Sequence, residues 1–263
     1  WHTINSATVA YAYREVVNRF FDKTVSENAV ERIDFSEGKT IKSACAEKLP
    51  AIRSAACGDF SMRGMTSIES AEKSSAANLL SFTGTATISA ILWLEEFYNC
   101  DCTKETVGKG VPSTEHSVMS SYGRDGEYEC YRHLIEDVFT TGPLSMVSDT
   151  YDYWNVGTSV IPSLKESIMK RDGKIIIRGD SGDPVEIICG TVLNTDDGEK
   201  YTPEQLGTVR CLWNEFGGYI NDKGYKVLDK HIGVIYGDAI TYERACRIYE
   251  LLDKMGFAAS NVT

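Results

Sequence analysis

Apolar runs that end abruptly in ionisable or turn residues constrain this chain most. Val111-Pro112 runs into Glu115-His116, and Leu144-Ser145-Met146-Val147 into Ser148-Asp149 and Tyr151-Asp152. Ile175-Ile176-Ile177 runs into Arg178-Gly179-Asp180-Ser181-Gly182-Asp183-Pro184, and Ile232 to Tyr236 into Gly237-Asp238. Helix-like segments lie between these runs. Strand–helix–strand repetition means parallel pairing through right-handed crossovers, which brings the strand C-termini to one face. α/β enzymes collect their chemical groups on that face.

The predicted elements follow from this alternation. Asn5 or Ser6 caps a helix to about Lys23, and Ile33-Asp34-Phe35 is a weak strand. The stretch from Glu37 to Gly64 has no clear assignment beyond a loop over Asp59–Gly64. Helices are expected over Glu69–Ala77 and Ile88–Tyr98, with a short strand at Asn78–Phe82 between them. Strand Gly110–Thr114 then precedes a helix Ser117–Phe139, and strand Leu144–Ser148 a helix ending near Lys170. Strand Lys174–Arg178 precedes a loop and a helix Pro203–Tyr219, and strand His231–Tyr236 a helix Tyr242–Met255. Asn194–Gly198 reads as a polar surface turn. A barrel and an open sheet both fit this pattern; functional-looking residues at many consecutive strand ends favour a barrel, and with about six units visible, short of eight, the expected fold is α/β, an incomplete (β/α) barrel. Residues 1–263 are read as one partial domain.

Composition excludes some classes. A net charge of −11 disfavours a nucleic-acid backbone as the main partner. No apolar stretch approaches the roughly 18–20 residues of a membrane span, and no basic and apolar leader opens the chain. Eight scattered cysteines fit reduced thiols of a cytoplasmic protein, and Cys100-Asp101-Cys102 lacks the further ligands of a zinc site. The start at Trp1 and the stop at Thr263 suggest part of a larger or processed polypeptide.

His116 can shuttle a proton or accept a phosphoryl group, and Asp152 is the carboxylate expected to orient it. Taken alone, a histidine there is more readily a helix cap or a satisfied buried contact. Glu115, Ser148, Arg178 and Asp180 at neighbouring strand ends give it functional company, whereas His2, His133 and His231 read as structural or exposed. Arg178 can hold phosphate through its planar fork. Asp180 and Asp238 suit sugar hydroxyls or hydrated magnesium. Phe60 and Arg63 offer a ring and a charge from one loop. Gly84-Thr85-Ala86-Thr87 precedes a helix, where free N–H groups favour anions.

In their order and spacing, the segments Asp59–Gly64, Ser81–Thr85, Val111–Ser117, Val147–Asp152, Ile177–Gly182 and Gly237-Asp238 resemble the nicotinamide phosphoribosyltransferases, phage and bacterial types included. The resemblance implies the fold of a type II phosphoribosyltransferase, usually a homodimer. It implies transfer of a phosphoribosyl group from phosphoribosyl pyrophosphate to nicotinamide, giving nicotinamide mononucleotide and pyrophosphate with Mg2+. It further implies that Phe60 stacks on the pyridine, with Val111 lining the same pocket. Arg63 and Arg178 would face base and pyrophosphate, and ATP would phosphorylate His116 beside Asp152, Glu115 and Ser148. Asp180, Gly237 and Asp238 would receive the ribose.

Three departures qualify the resemblance. The family usually carries Asp at the position of Ala86, where it accepts from the nicotinamide amide; losing that contact removes about 0.5–3 kcal/mol. Gly110 and Gly179 stand for the more usual Ser and Pro. An N-terminal region with an aromatic residue that closes over the base, and a glycine-rich phosphate loop after Thr263, are expected from a partner subunit, a second polypeptide or adjacent chain. Two other readings stay open at this level. One is a non-catalytic module binding a nucleotide or NAD metabolite. The other is a metal-dependent barrel lyase built on Glu115, His116, Asp152 and Asp180.

Overall fold

The computed structural model describes residues 2–28, 30–34, 39–43, 49–195 and 200–263. The described residues form nine strands in chain order: β1 (Val30–Asp34), β2 (Lys39–Ser43), β3 (Gly58–Asp59), β4 (Gly84–Thr85), β5 (Leu144–Val147), β6 (Ile175–Gly179), β7 (Gly218–Ile220), β8 (Lys226–Leu228) and β9 (Ile232–Tyr236). β1 pairs antiparallel with β2, and β7 with β8. All other ladders are parallel: β3 with β4, β5 with β6, and β6 with β9. Single parallel bridges, Gly84 with Lys109 and Ser113 with Ser145, join these two groups. A last bridge places Val262 beside Val234. The chain is a mixed α/β protein whose parallel segments lie side by side in sequence order, without the reversal of a doubly wound sheet.

The central strands form because they are β-branched, apolar and covered on both faces. Leu144, Met146, Ile175, Ile177 and Ile232 are all fully buried. Around them pack amphipathic helices with well-made starts. Thr241 caps the helix Tyr242–Lys254 by accepting from the Arg244 N–H, with Glu243 in the first turn and Lys254 in the last. That helix buries Ile248, Tyr249, Leu251 and Leu252, each worth about 1.5–3 kcal/mol of transfer free energy. Phe20 of the helix His2–Thr24 stacks on Tyr249 at 5.7 Å.

Several predicted elements need correction. The first helix begins at His2, ahead of Asn5 and Ser6. The early strand is Val30–Asp34; Phe35 and part of the Asn194–Gly198 turn lie outside the described residues. Asn78–Phe82 is not a strand: the helix Ile68–Leu79 runs into it, and the Asn78 carbonyl accepts from both Ser81 and Phe82. The strand there is Gly84–Thr85, where a Cβ on Gly84 would come within 2.9 Å of the Gly58 Cα. Gly110–Thr114 forms a single bridge, Ser113 with Ser145, rather than a ladder.

Ser117–Phe139 is broken into His116–Ser120 and Glu127–His133, the second running on as a π-helical turn over Leu134–Val138, so the expected end holds. Gly123 between them takes a positive φ of 68° that a helix cannot continue. Pro203–Tyr219 splits likewise at Gly207 (φ 78°), and Tyr219 belongs to β7. A helix at Pro184–Cys189 went unpredicted within the loop after Arg178. Asp183 caps it and Pro184 opens it, so the apparent tight turn is also a helix start.

Candidate active site

Parallel pairing delivers Phe60, Ala86, Ser148, Asp180 and Gly237 just past the C-terminal ends of β3, β4, β5, β6 and β9. At the centre is Arg178, whose side chain is only 4% exposed. Its Nε and Nη2 donate to the two oxygens of Asp180 at 3.1 and 2.7 Å, a bidentate pair. Its Nη1 donates to the Ser113 hydroxyl and the Thr114 carbonyl, both at 3.2 Å. The guanidinium lies 5.6 Å from the centre of the Phe60 ring, within cation–π range. A buried charge persists only when paired in this way. Burial would lower the Arg178 pKa, but the Asp180 and Glu115 carboxylates outweigh it and hold the charge.

Gly237 explains itself sterically. A Cβ there would overlap Asp180 Oδ1 and stand 2.9 Å from Arg178 Nε. Its N–H donates to the Gly179 carbonyl at 2.9 Å, extending the β6–β9 register past the last strand residue. Glycine is therefore required where the backbone passes over the ion pair.

Glu115 precedes the helix His116–Ser120 and bridges two arginines. Its Oε1 accepts from Arg63 Nη2 at 2.6 Å and lies 3.5 Å from Arg178 Nη2. Burial pushes the carboxyl up, yet the Arg63 hydrogen bond and the two guanidinium charges leave it below the ordinary carboxylate range. Beside it, His116 is half-exposed, with Nε2 3.6 Å from Asp180 Oδ2 and Nδ1 3.4 Å from the Thr150 hydroxyl. Burial, followed by the charges of Asp149, Asp180, Asp183 and Asp238, pushes the Tyr236 phenol up to about 12. Behind Phe60 lies a cavity of about 220 Å³ bounded by Gly58, Phe60, Tyr236, Tyr249 and Val262.

The structure thus gathers Phe60, Arg63, Glu115, His116, Arg178, Asp180 and Gly237. Other expected residues are placed differently. Asp152 does not orient His116: its Oδ1 accepts from the Asn155 N–H at 3.0 Å, capping the next helix, and Asp180 and Thr150 face the imidazole instead. Ser148 is fully buried, and its hydroxyl donates to the Met146 carbonyl. Val111, Ala86 and Asp238 are exposed around the strand ends. The Ala86 N–H donates to the Asp59 carbonyl at 2.9 Å. Among the described residues the constellation of Glu115, His116, Asp152 and Asp180 needed by a metal-dependent lyase is not assembled, because Asp152 caps the next helix. His231 is structural, buried and 2.6 Å from Asp229.

Sequence reasoning missed Ser113, Thr114 and Thr150. All three are small hydroxyl residues inside motifs already singled out. Only the neighbouring strands show that Ser113 and Thr114 seat a guanidinium and that Thr150 reaches a histidine.

An aromatic ring, a locked arginine–carboxylate pair, a second arginine and a histidine gather at the C-terminal ends of parallel strands, as in α/β proteins that carry their chemistry on that face. Comparison with known proteins then assigns the lineage. The chain belongs to the nicotinate phosphoribosyltransferase (NAPRTase) family, whose model matches residues 55–263. A nicotinamide phosphoribosyltransferase of Acinetobacter baylyi is 37% identical over 268 aligned residues, covering 100% of this chain and 47% of that protein. One from Mycoplasma pneumoniae is 37% identical over 209 residues, covering 78% of this chain and 42% of its own length. One from Xanthomonas campestris is 30% identical over 268 residues, covering 100% and 47%. The chain spans about half the length of the curated relatives it matches. Among the described residues no helix is long and apolar enough to cross a membrane.

Proposed function

We propose that this chain carries the base- and ribose-binding face of a nicotinamide phosphoribosyltransferase acting in NAD salvage. The observation that carries the reading is the Arg178–Asp180 pair, braced by Gly237, set beside the Phe60 ring and 3.6 Å from His116. Phe60 offers a stacking face for a pyridine ring. Arg178, held by Asp180, Ser113 and Thr114, supplies fixed positive charge for the departing pyrophosphate, and the exposed Arg63, paired with Glu115, supplies a second charge. A carboxylate has about four acceptor positions, so Asp180 can hold Arg178 and still accept from a ribose hydroxyl. Its negative charge, with Asp238 at the next strand end, favours the cationic ribose that develops as the anomeric bond breaks. A pyridine nitrogen needs alignment rather than a strong base.

Magnesium would enter this site with pyrophosphate, near the Asp180 and Asp238 carboxylates at neighbouring strand ends. Among the described residues no group of three or more His, Cys, Asp or Glu side chains is arranged around a metal. Mg2+ is commonly bound through one or two carboxylates plus substrate phosphates. It would neutralise charge on the leaving group. His116, half-exposed, is open to phosphorylation by ATP, as the family resemblance implies.

The order β3, β4, residues 109–113, β5, β6, β9, Val262 supports an incomplete (β/α) barrel of the type II phosphoribosyltransferases. A second polypeptide or adjacent chain would supply the aromatic cover and phosphate loop that the resemblance implies, and a homodimer would let two such subunits share the site.

The test is incubation with phosphoribosyl pyrophosphate, Mg2+ and nicotinamide, with nicotinamide mononucleotide quantified by mass spectrometry against a His116→Ala control. Product above the control supports the transferase. A second reading, binding without turnover, is favoured by Ala86, which offers no side-chain acceptor to the amide; calorimetric binding of nicotinamide mononucleotide without product would support it. Product with a different pyridine base alone would move the assignment to that base. Absence of both product and binding overturns the proposal.

A further inference from the structure

Asp149 takes no part in the roles assigned above, yet it is tied into the site. Its Oδ2 accepts the backbone N–H of Asp180 at 3.2 Å, reaching from the end of β5 to the end of β6. Its Oδ1 is buried and accepts no hydrogen bond. The three nearby phenols do not supply one. Tyr131 donates to the Val147 carbonyl, Tyr153 is paired with the Thr208 hydroxyl, and Tyr236 donates to the Gly182 carbonyl. A buried carboxylate oxygen without a partner is a net cost to folding. The side-chain hydrogen bond that Asp149 makes to a protein group is the one to the Asp180 N–H.

The Asp180 segment needs such a tie. Gly179 ends the β6 ladder opposite Tyr236, and beyond it the chain must place one carboxylate against both Arg178 and His116. On one side Gly237 donates to the Gly179 carbonyl. On the other, Asp149 holds the N–H of the next residue. Together they fix both sides of the peptide unit that carries Asp180.

Resting on the transferase reading for its functional half, we propose that Asp149 is a positioning residue. It clamps the Asp180 backbone so that the Asp180 carboxylate meets Arg178, His116 and the ribose. It does not itself touch the substrate.

Hydrogen exchange of the Asp180 amide, read by NMR, tests the clamp without reference to catalysis. Asp149→Ala should lower protection of that amide by about tenfold or more, the factor matching the loss of about 1.4 kcal/mol locally. Protection at Ile175 and Ile177 in the core of β6 should stay unchanged, which separates this effect from unfolding. Asp149→Asn keeps an acceptor oxygen and should restore protection. Calorimetry with nicotinamide mononucleotide and steady-state kinetics follow on the same variants. Asp149→Ala should weaken product binding and raise KM for phosphoribosyl pyrophosphate about tenfold, with a smaller change in kcat and with rescue by Asn.

Unchanged Asp180 exchange in Asp149→Ala overturns the proposal. So does intact binding and KM once the clamp is lost, or an Asn variant that keeps the clamp but not the binding, since the charge would then be what matters. If the wild-type protein neither binds nor reacts, the transferase reading fails and with it the functional half of the proposal. The exchange data still decide whether Asp149 holds Asp180.

Discussion

Replacing Gly237 with alanine should break the site with a single methyl group. Gly237 is not among the positive-φ residues, so the backbone accepts alanine without strain. The whole effect comes from the space the methyl needs, which Asp180 Oδ1 and Arg178 Nε already fill. Neither partner can easily retreat. Arg178 is 4% and Asp180 15% exposed at the side chain, and Arg178 is also held by Ser113 and Thr114. Deleting one partner of a buried, hydrogen-bonded ion pair costs about 3–5 kcal/mol. Forcing the pair apart with both charges retained should sit near the lower end, about 3 kcal/mol, or roughly a hundredfold in the folding equilibrium. The check is a pair of urea titrations, Gly237→Ala against Gly64→Ala; a Cβ on Gly64 meets nothing within 4 Å. The second measurement is nicotinamide mononucleotide formation or binding, where a shift of about 1 Å in a positioned group costs on the order of a hundredfold. A Gly237→Ala protein with wild-type stability and wild-type binding would refute the reasoning, because the ion pair would then have moved aside without consequence.

Other expectations follow from the same geometry. The Glu115 carboxyl lies below its ordinary range when folded, so its contribution is present at neutral pH and is lost as pH falls below about 4.3 toward the folded value. Glu115→Gln should flatten that acid loss in pH-dependent urea midpoints, by roughly 0.5 kcal/mol because the pair is partly exposed; an unaltered acid limb would count against the bridge. Glu127 behaves oppositely. Burial raises its carboxyl, Arg124 opposes and Asp152 adds, so its stabilising contribution holds at low pH and disappears as pH rises through the folded value. Glu127→Gln should therefore raise stability at pH 7 by about 1 kcal/mol, and a lower melting temperature would contradict this. Gly157→Ala, in a helical segment with nothing within 4 Å of the new Cβ, should stabilise by about 0.5–1 kcal/mol in thermal melts.

The alternation of elements was legible because strands and helices leave different periodicities. β5, β6 and β9 are short apolar runs bounded by polar turns, and the helix Tyr242–Lys254 announces itself by Thr241 and a helical apolar stripe. What failed was continuity. Pro203–Tyr219 and Ser117–Phe139 have helical composition throughout, but single glycines in the left-handed region cut them. Whether such a glycine is tolerated in a helix or breaks it depends on what packs around it. The strand at Gly84–Thr85 was equally hidden, since two small residues form it only because Gly58 lies alongside.

The same division holds for the site. Residue chemistry and placement at strand ends already singled out Glu115, His116, Arg178 and Asp180, because a buried strand that ends in charge needs a reason. The sequence by itself thus determined the fold class, the family resemblance and the groups present at the strand ends. Only the tertiary structure decided how those groups pair. It gave Asp180 rather than Asp152 to His116, made Asp152 a helix cap, turned Ser148 inward and set Gly237 against the ion pair. Pairing depends on angstrom-scale distances between residues far apart in the chain, and parallel packing of the strands fixes those distances where local sequence cannot.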